Sequence, residues 1–197
     1  MSTASCPLYL RLEARLNILK DKFVRDQMVM ELSDPISFSA DLDHLAAFRL
    51  LAHAEFEEYL ESKALEGLDL LENGFFNGAK AVRVNINVLV IGAMLGKPAR
   101  FDGAQWSEYA TGVVKAARTV VSENNGIKAG AFSQLAVFSG KMPDEIDVSL
   151  ASALTSYGRS RGKVAHMSVT RVRNIRAPSA EAKDADDLLR ALQGYFC

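Results

Sequence analysis

Apolar residues recur at helical intervals along most of this chain. Within residues 8–30 they fall every three or four positions with charged residues between them, the pattern of an amphipathic helix that buries one face. A second long helix is predicted from about Ala40 to Glu72, with Ser39 as its N-cap. The ENG at 72–74 is its predicted end, because glycine accepts the left-handed conformation that terminates helices.

The segment 82–91 combines two signals. Valine and isoleucine alternate strictly with other residues there, as in a half-buried strand. A strand needs partners, however, and no other segment offers a strand of comparable quality. A packed helix that ends at Gly96 therefore agrees better with the rest of the chain.

The remaining pattern is also helical. We predict a helix over 106–126, a shorter one over 129–140, one that begins at Pro143 and continues to 166, and a last helix that is capped near Ser179 and finishes at about Gly194. No Pro/Gly/Ser-rich linker divides the chain, and 197 residues suffice for one core. The expected fold is all-α, with a single domain over 1–197.

Charge is distributed unevenly, although the formal net charge is only -1. Positions 41–72 hold nine acids, whereas 155–178 hold six arginines and lysines and no acid. These segments could be two solvated faces, or the basic one could bind a polyanion.

Nothing in the sequence indicates a membrane, a metal or a cofactor. Cys6 and Cys197 have neither metal-ligand nor redox spacing, which suits a reducing compartment. The longest apolar run, at 88–95, is too short to cross a bilayer, and no secretory signal is evident. Metal-site spacings and Gly-rich phosphate loops are also missing, so we expect no cofactor. The cysteine usage and the missing secretory signal lead us to expect a cytoplasmic protein.

Candidate chemistry is concentrated in RSRGKVAH at 159–166. On a straight helix Arg161 falls within the apolar stripe, whereas Arg159 and Lys163 share another face with His166. A guanidinium on an apolar stripe suits an interface or a cleft, unless it extends past the edge of the core to water.

Arginine and histidine together suit RNA cleavage without a metal. Arginine grips phosphate and stabilises a phosphorane, and histidine can move a proton to or from a ribose hydroxyl. One residue of each kind is not a complete acid and base pair, so two copies related by a two-fold axis would complete the site.

The segment RGKVAH, at the end of a helix that contains DEIDVSLASALTSYGRS, resembles the Arg-x4-6-His motif of the HEPN superfamily. It is most similar to the RN-x-x-AH form of this motif, and within the superfamily the chain resembles the RiboL-PSP-like ribonuclease group. HLAAFRLLAHAEFEEYLE also looks like the long acidic helix that these proteins place earlier in the chain. The resemblance implies a HEPN-like helical bundle with additional helices and the motif at the end of a late helix.

It further implies a homodimer whose motifs meet in a cleft, with metal-independent endoribonuclease activity in toxin–antitoxin, phage-defence or stress systems. Arg161 and His166 match the motif and would be catalytic. The expected partners are RNA, a second copy, and a cognate antitoxin or defence-system protein. The further residues expected to bind RNA phosphates are Arg159, Lys163, Arg171 and Arg173.

Two observations leave alternatives open. Family members often carry Asn, Asp or His after the motif arginine, where this chain has Gly162, so the alternative is a catalytically inactive HEPN-like module that binds RNA or protein. Arg49 and His53, spaced i and i+4, could add polar groups to the same cleft, but ordinary helix-surface or interhelical contacts are the favoured interpretation.

Overall fold

The fold is described from a computed structural model of the chain. It describes residues 6–76, 82–99, 106–166 and 175–197, and for positions 75, 76 and 163–166 it describes the backbone alone. Within these ranges there are eight α-helices and no strand, which confirms the all-α prediction. The helices are α1 (Pro7–Phe23), α2 (Arg25–Ser33), α3 (Leu42–Phe76), α4 (Val82–Met94), α5 (Trp106–Ser122), α6 (Ala129–Phe138), α7 (Val148–His166) and α8 (Pro178–Phe196).

The single helix predicted over 8–30 is wrong, because the chain breaks at Val24 between α1 and α2. Val24 has φ -126° and ψ -39°, outside the helical region, and its side chain is buried. No glycine or proline marks the break. The side chain of Gln27 then ties α2 to the following loop, accepting a hydrogen bond from the backbone N–H of Asp41 (2.8 Å).

Both predicted limits of the second helix are also wrong. Asp41, not Ser39, caps α3, since its carboxylate accepts a hydrogen bond from the backbone N–H of His44 (3.0 Å). At the other end Gly74 stays helical and α3 continues to Phe76. A helical glycine costs only about 1 kcal/mol, which tertiary packing readily offsets.

The ambiguous segment 82–91 lies in α4, so the helix prediction is confirmed. Gly96 ends this helical region with φ +67°, as glycine allows. The hydroxyl of Tyr109 on α5 donates a hydrogen bond to the carbonyl of Lys97 (2.7 Å). The end of α4 is therefore attached to α5, against which α4 packs.

The helix that carries RSRGKVAH begins later than predicted. Pro143–Glu145 form a separate 3-10 turn, and α7 starts at Val148. Asp147 caps it, because its carboxylate accepts hydrogen bonds from the backbone N–H groups of Ser149 and Leu150 (2.8 and 2.9 Å).

The last helix, α8, has Pro178 in its first turn, a position that tolerates the missing N–H. Ser179 is not its N-cap as predicted; its hydroxyl instead donates to Glu31 of α2 (2.9 Å). The helix ends at Phe196, two residues beyond the predicted Gly194.

Contacts group the chain into two compact units. The first comprises Met1–Tyr59, Ile127–Ala129 and Asp147–Cys197, and the second comprises Leu60–Gly126 and Gly130–Ile146. Such grouping does not test independent folding, so the single domain stays a prediction.

The first unit contains α1, α2, α7 and α8. There α1 packs against α2 and α8, and α7 packs against α8. A disulfide between Cys6 and Cys197 joins the start of α1 to the end of α8, with 5.9 Å between the two Cα atoms. The sequence reading did not anticipate this pair. None of the helices in the described ranges is long and apolar enough to cross a membrane.

Candidate functional site

The candidate residues of RSRGKVAH are positioned by α7, which lies in the first unit. Arg159 is exposed and Arg161 is half-buried. Lys163 and His166 belong to the helix, but their side chains are outside the described part. The other two predicted phosphate ligands, Arg171 and Arg173, lie outside the described residues altogether.

The helix remains continuous through Gly158 and Gly162 to its end. At about 100° per residue, positions 161 and 166 are therefore about 140° apart around the axis, whereas 159 and 166 are only about 20° apart. The sequence predicts that Arg161 lies on one face of the helix and that Arg159 and position 166 lie on another, and the continuous helix agrees with this prediction. Within one copy of the chain, Arg161 and position 166 lie on different faces of α7.

Arg161 lies near His53, a residue of α3. His53 is only 2% exposed. Burial lowers the pKa of His53 to about 4, and the positive charges of Arg161 and Lys128 contribute in the same direction. At neutral pH the imidazole is therefore uncharged. The candidate arginine therefore acts electrostatically on a histidine for which the sequence pattern favours an ordinary contact.

Gly158 is the point at which three segments of the first unit meet. A Cβ atom at this glycine would lie 3.6 Å from Nε2 of His53 and 3.5 Å from Cγ of Lys128. The segment that carries Lys128 is attached to α7 one turn earlier, because the backbone N–H of Ala129 donates to the hydroxyl of Thr155 (2.9 Å). The positions of Lys128 and His53 relative to α7 are thus fixed by direct contacts.

The charge around this point is mostly positive. Within the described ranges no carboxylate forms an ion pair with Arg159, Arg161 or Lys128. The acidic neighbour of His53 is Glu57, whose carboxylate oxygen is 3.7 Å from Nδ1. These cations are available to a negatively charged ligand.

Arg49 forms a buried ion pair with Glu181 of α8, and both side chains are nearly inaccessible to solvent. The Nε–H of Arg49 donates to one carboxylate oxygen (3.0 Å), and the backbone N–H of Arg176 donates to the other (2.9 Å). The favoured interpretation of Arg49 as an interhelical contact is therefore confirmed, because the pair joins α3 to α8.

A cavity of about 690 Å³ lies beside this ion pair. Its lining includes Ser156, Tyr157 and Ser160 of α7 together with Asp184 and Leu188 of α8. The hydroxyl of Tyr157 is buried and has no hydrogen-bond partner among the described residues. Burial and, after it, the charge of Glu181 raise the pKa of Tyr157, so the phenol is neutral. The cavity could accept a small group that hydrogen-bonds to hydroxyls.

Sequence reasoning missed Lys128 and Glu181. Lys128 follows the NNGI segment, where the pattern predicts only the end of a helix. Glu181 is 132 residues away from Arg49, so no local pattern could have paired them. Both assignments depend on tertiary contacts.

Comparisons with protein-family models, with curated proteins and with solved structures found no match for this chain. Among the described residues no group of three or more His, Cys, Asp or Glu side chains is arranged to hold a metal ion.

Proposed function

We propose that this chain is a metal-independent endoribonuclease of the HEPN type, acting in a toxin–antitoxin, phage-defence or stress system. One observation carries the proposal: Arg161 is a half-buried cation on the motif helix, and no carboxylate in the described ranges neutralises it. Burying a charge without a partner is unfavourable. An arginine in this state is suited to bind a phosphate that arrives with the substrate.

In the proposed reaction Arg161 donates hydrogen bonds to the non-bridging oxygens of the scissile phosphate. The ribose 2′-oxygen attacks phosphorus, and negative charge grows on the equatorial oxygens of the phosphorane. Arginine stabilises this charge without taking part in proton transfer, because it stays protonated.

His166 is the proposed proton-transfer residue. As the bond from the 2′-oxygen to phosphorus forms, a proton leaves the 2′-hydroxyl, and as the bond to the 5′-oxygen breaks, that oxygen gains a proton. The products are a 2′,3′-cyclic phosphate and a 5′-hydroxyl. In each composite site the single imidazole, titrating near neutrality, performs one of these two transfers, and solvent water performs the other.

The helix geometry favours a site shared between two copies. Positions 161 and 166 are about 140° apart on α7, so a single copy does not present both to one phosphate. A two-fold axis that places the two α7 helices together would bring Arg161 of each copy towards His166 of the other. We therefore propose a homodimer with two equivalent composite sites.

The test is incubation of purified protein with RNA in excess EDTA. The wild-type chain should cleave, and His166→Ala should lower the rate by at least about 100-fold, the usual contribution of a general acid or base. His44→Ala is the matched control, since His44 is an exposed histidine outside the motif. Equal cleavage by wild type and His166→Ala would refute the assignment.

Gly162 favours one second candidate, a catalytically inactive HEPN-like module that binds RNA or protein. This glycine follows Arg161 directly, and it offers no side chain to orient the guanidinium or a phosphate. Binding of RNA without cleavage, weakening steeply as salt rises, would support this candidate over the ribonuclease.

A further inference from the structure

The contacts around Gly158 define a second feature of the motif helix, besides the motif itself. His53 of α3 and Lys128 of the segment Ile127–Ala129 both lie within van der Waals distance of the Cβ position of this glycine. Arg161 follows three residues later, close to one helical turn away. Side chains of α3 and of the segment 127–129 therefore meet on the turn of α7 that leads to Arg161.

The imidazole of His53 is placed unusually for a buried polar group. It is 2% exposed, and its Nδ1 has no hydrogen-bond partner in the described part of the chain. Buried polar atoms are normally hydrogen-bonded, and exceptions often mark a site where a ligand or a proton is bound. The carboxylate of Glu57, 3.7 Å from Nδ1, is too distant for a hydrogen bond but would attract a protonated ring.

The charges that face His53 come from three elements. Glu57 on the same helix favours the imidazolium, whereas Lys128 and Arg161 oppose it. Burial is the largest cause that disfavours the charged ring, and the pKa of His53 is lowered to about 4. An anion bound by the two cations would cancel much of their field and so favour the protonated ring.

We propose that Lys128 and Arg161 together bind one phosphate group beside His53, and that His53 takes up a proton when this group binds. Anion binding and protonation are then linked, so each strengthens the other by the same factor. If the bound phosphate belongs to an RNA backbone, this inference rests on the proposed function, because the same Arg161 binds the phosphate in both. The expected result is tighter anion binding as the pH falls towards 5.

The test uses sulfate, which stays doubly charged throughout this range and so does not itself titrate. Proton NMR follows the ring signals of the three histidines, and the His44→Gln and His166→Gln variants assign those of His53 by elimination. Saturating sulfate should raise the pKa of His53 by about one unit, which corresponds to about tenfold tighter binding to the protonated form.

Substitutions distinguish a His53 whose protonation is coupled to anion binding from a His53 that has only a structural role. Arg161→Gln and Lys128→Gln should each weaken sulfate binding and reduce the sulfate-induced shift. Lys115→Gln, which removes an exposed cation of α5 that belongs to neither the motif nor the proposed site, is the control and should retain both. Sulfate that fails to bind, or that binds without moving the His53 titration, would overturn the proposal.

Two further ligands distinguish the source of the phosphate. An uncleavable 2′-O-methyl RNA should give the same shift if the site takes a backbone phosphate, whereas a response only to a nucleoside monophosphate would assign it to a small phosphorylated ligand. Sulfate-linked protonation in a protein that never cleaves RNA would reject the ribonuclease and keep this site. RNA cleavage by a protein whose His53 titration does not change with sulfate would support the ribonuclease and reject this site.

Discussion

At the scale of single residues, Arg161 carries most of the proposed chemistry. It interrupts an apolar stripe in the sequence, it is half-buried, and its charge contributes to the lowered pKa of His53. Arg159, separated from the motif histidine by six residues, also satisfies the longest Arg-x6-His spacing, but it is exposed and shares a face with position 166. Exposed cations bind phosphate less selectively because water competes, so we assign the reacting phosphate to Arg161.

Replacing Gly162 with Asn should increase cleavage by about tenfold, because an amide there could orient the guanidinium or the phosphate. The substitution has room, since no atom of the described part of the chain lies within 4 Å of a Cβ atom at this glycine. Rates of RNA cleavage in EDTA provide the measurement. Gly162→Ala is the control, because it fills the same space without a hydrogen-bonding group. If both variants cleave at the same rate, the orienting role is wrong.

His53 should make the protein less stable in mild acid. Its pKa is about 4 in the folded chain against 6.5 for an ordinary histidine, so the unfolded chain takes up the proton first as the pH falls. The contribution of the neutral His53 to the free energy of unfolding is therefore fully present above pH 6.5. It is lost as the pH falls towards 4, which lowers the stability by about 3 kcal/mol.

Denaturant unfolding of wild type and His53→Gln at several pH values measures this decline. The difference in free energy of unfolding between the two should shrink as the pH falls from 6.5 to 4. A difference that stays constant over this interval would contradict the assigned titration.

Some of the site could be predicted from the sequence and some could not. Arg161 stands out because a charge on an apolar stripe is visible in one helix. The pairing of Arg49 with Glu181 and the approach of Lys128 to His53 join distant segments, and no local pattern encodes them. A single sequence carries the helix periodicity, but tertiary contacts decide which polar groups meet.

At the scale of the elements, apolar periodicity identified the helices better than their ends. The all-α content and the helix at 82–91 are confirmed because amphipathic stripes persist over many residues. The break at Val24 and the continuation of α3 through Gly74 were missed. Such boundaries depend on a few contacts, which outweigh the weak preferences of single residues.

Gly67 should be indispensable where α3 passes the end of α6. A Cβ atom there would overlap the Cα of Ser139 and the carbonyl oxygen of Phe138, both well inside 3.0 Å. Gly67→Ala should therefore destabilise the fold by about 2 kcal/mol, since backbone atoms cannot easily move aside.

The matched control is Gly112→Ala on α5, where none of the described residues comes within 4 Å of the added methyl group. That change should stabilise the protein by up to about 1 kcal/mol through helix propensity. Thermal unfolding of both variants gives the comparison. Similar melting temperatures for the two would mean that α3 and the end of α6 are not in close contact.

At the scale of the whole molecule, the two ends of the chain are joined and the proposed site needs a second chain. The Cys6–Cys197 disulfide closes a loop with a sequence separation of 191 residues. In the chain-entropy account a loop of this size stabilises the folded state by about 5 kcal/mol. The dimer is a separate matter and stays a prediction.

Mixing two inactive variants tests the shared site. Arg161→Gln and His166→Ala should each be inactive alone, but their mixed dimer would contain one intact composite site. Random reassembly of the two variants should recover about a quarter of wild-type activity, because half of the dimers are mixed and each has one site of two. A site formed within one copy would recover none.

The most direct test of the proposed chemistry is identification of the RNA ends after incubation in EDTA. Mass spectrometry should find 2′,3′-cyclic phosphates and 5′-hydroxyls with the wild-type chain, and intact RNA with Arg161→Gln. Arg159→Gln should still cleave. Intact RNA with every protein, products with 3′-hydroxyls, or undiminished cleavage by Arg161→Gln would contradict the account.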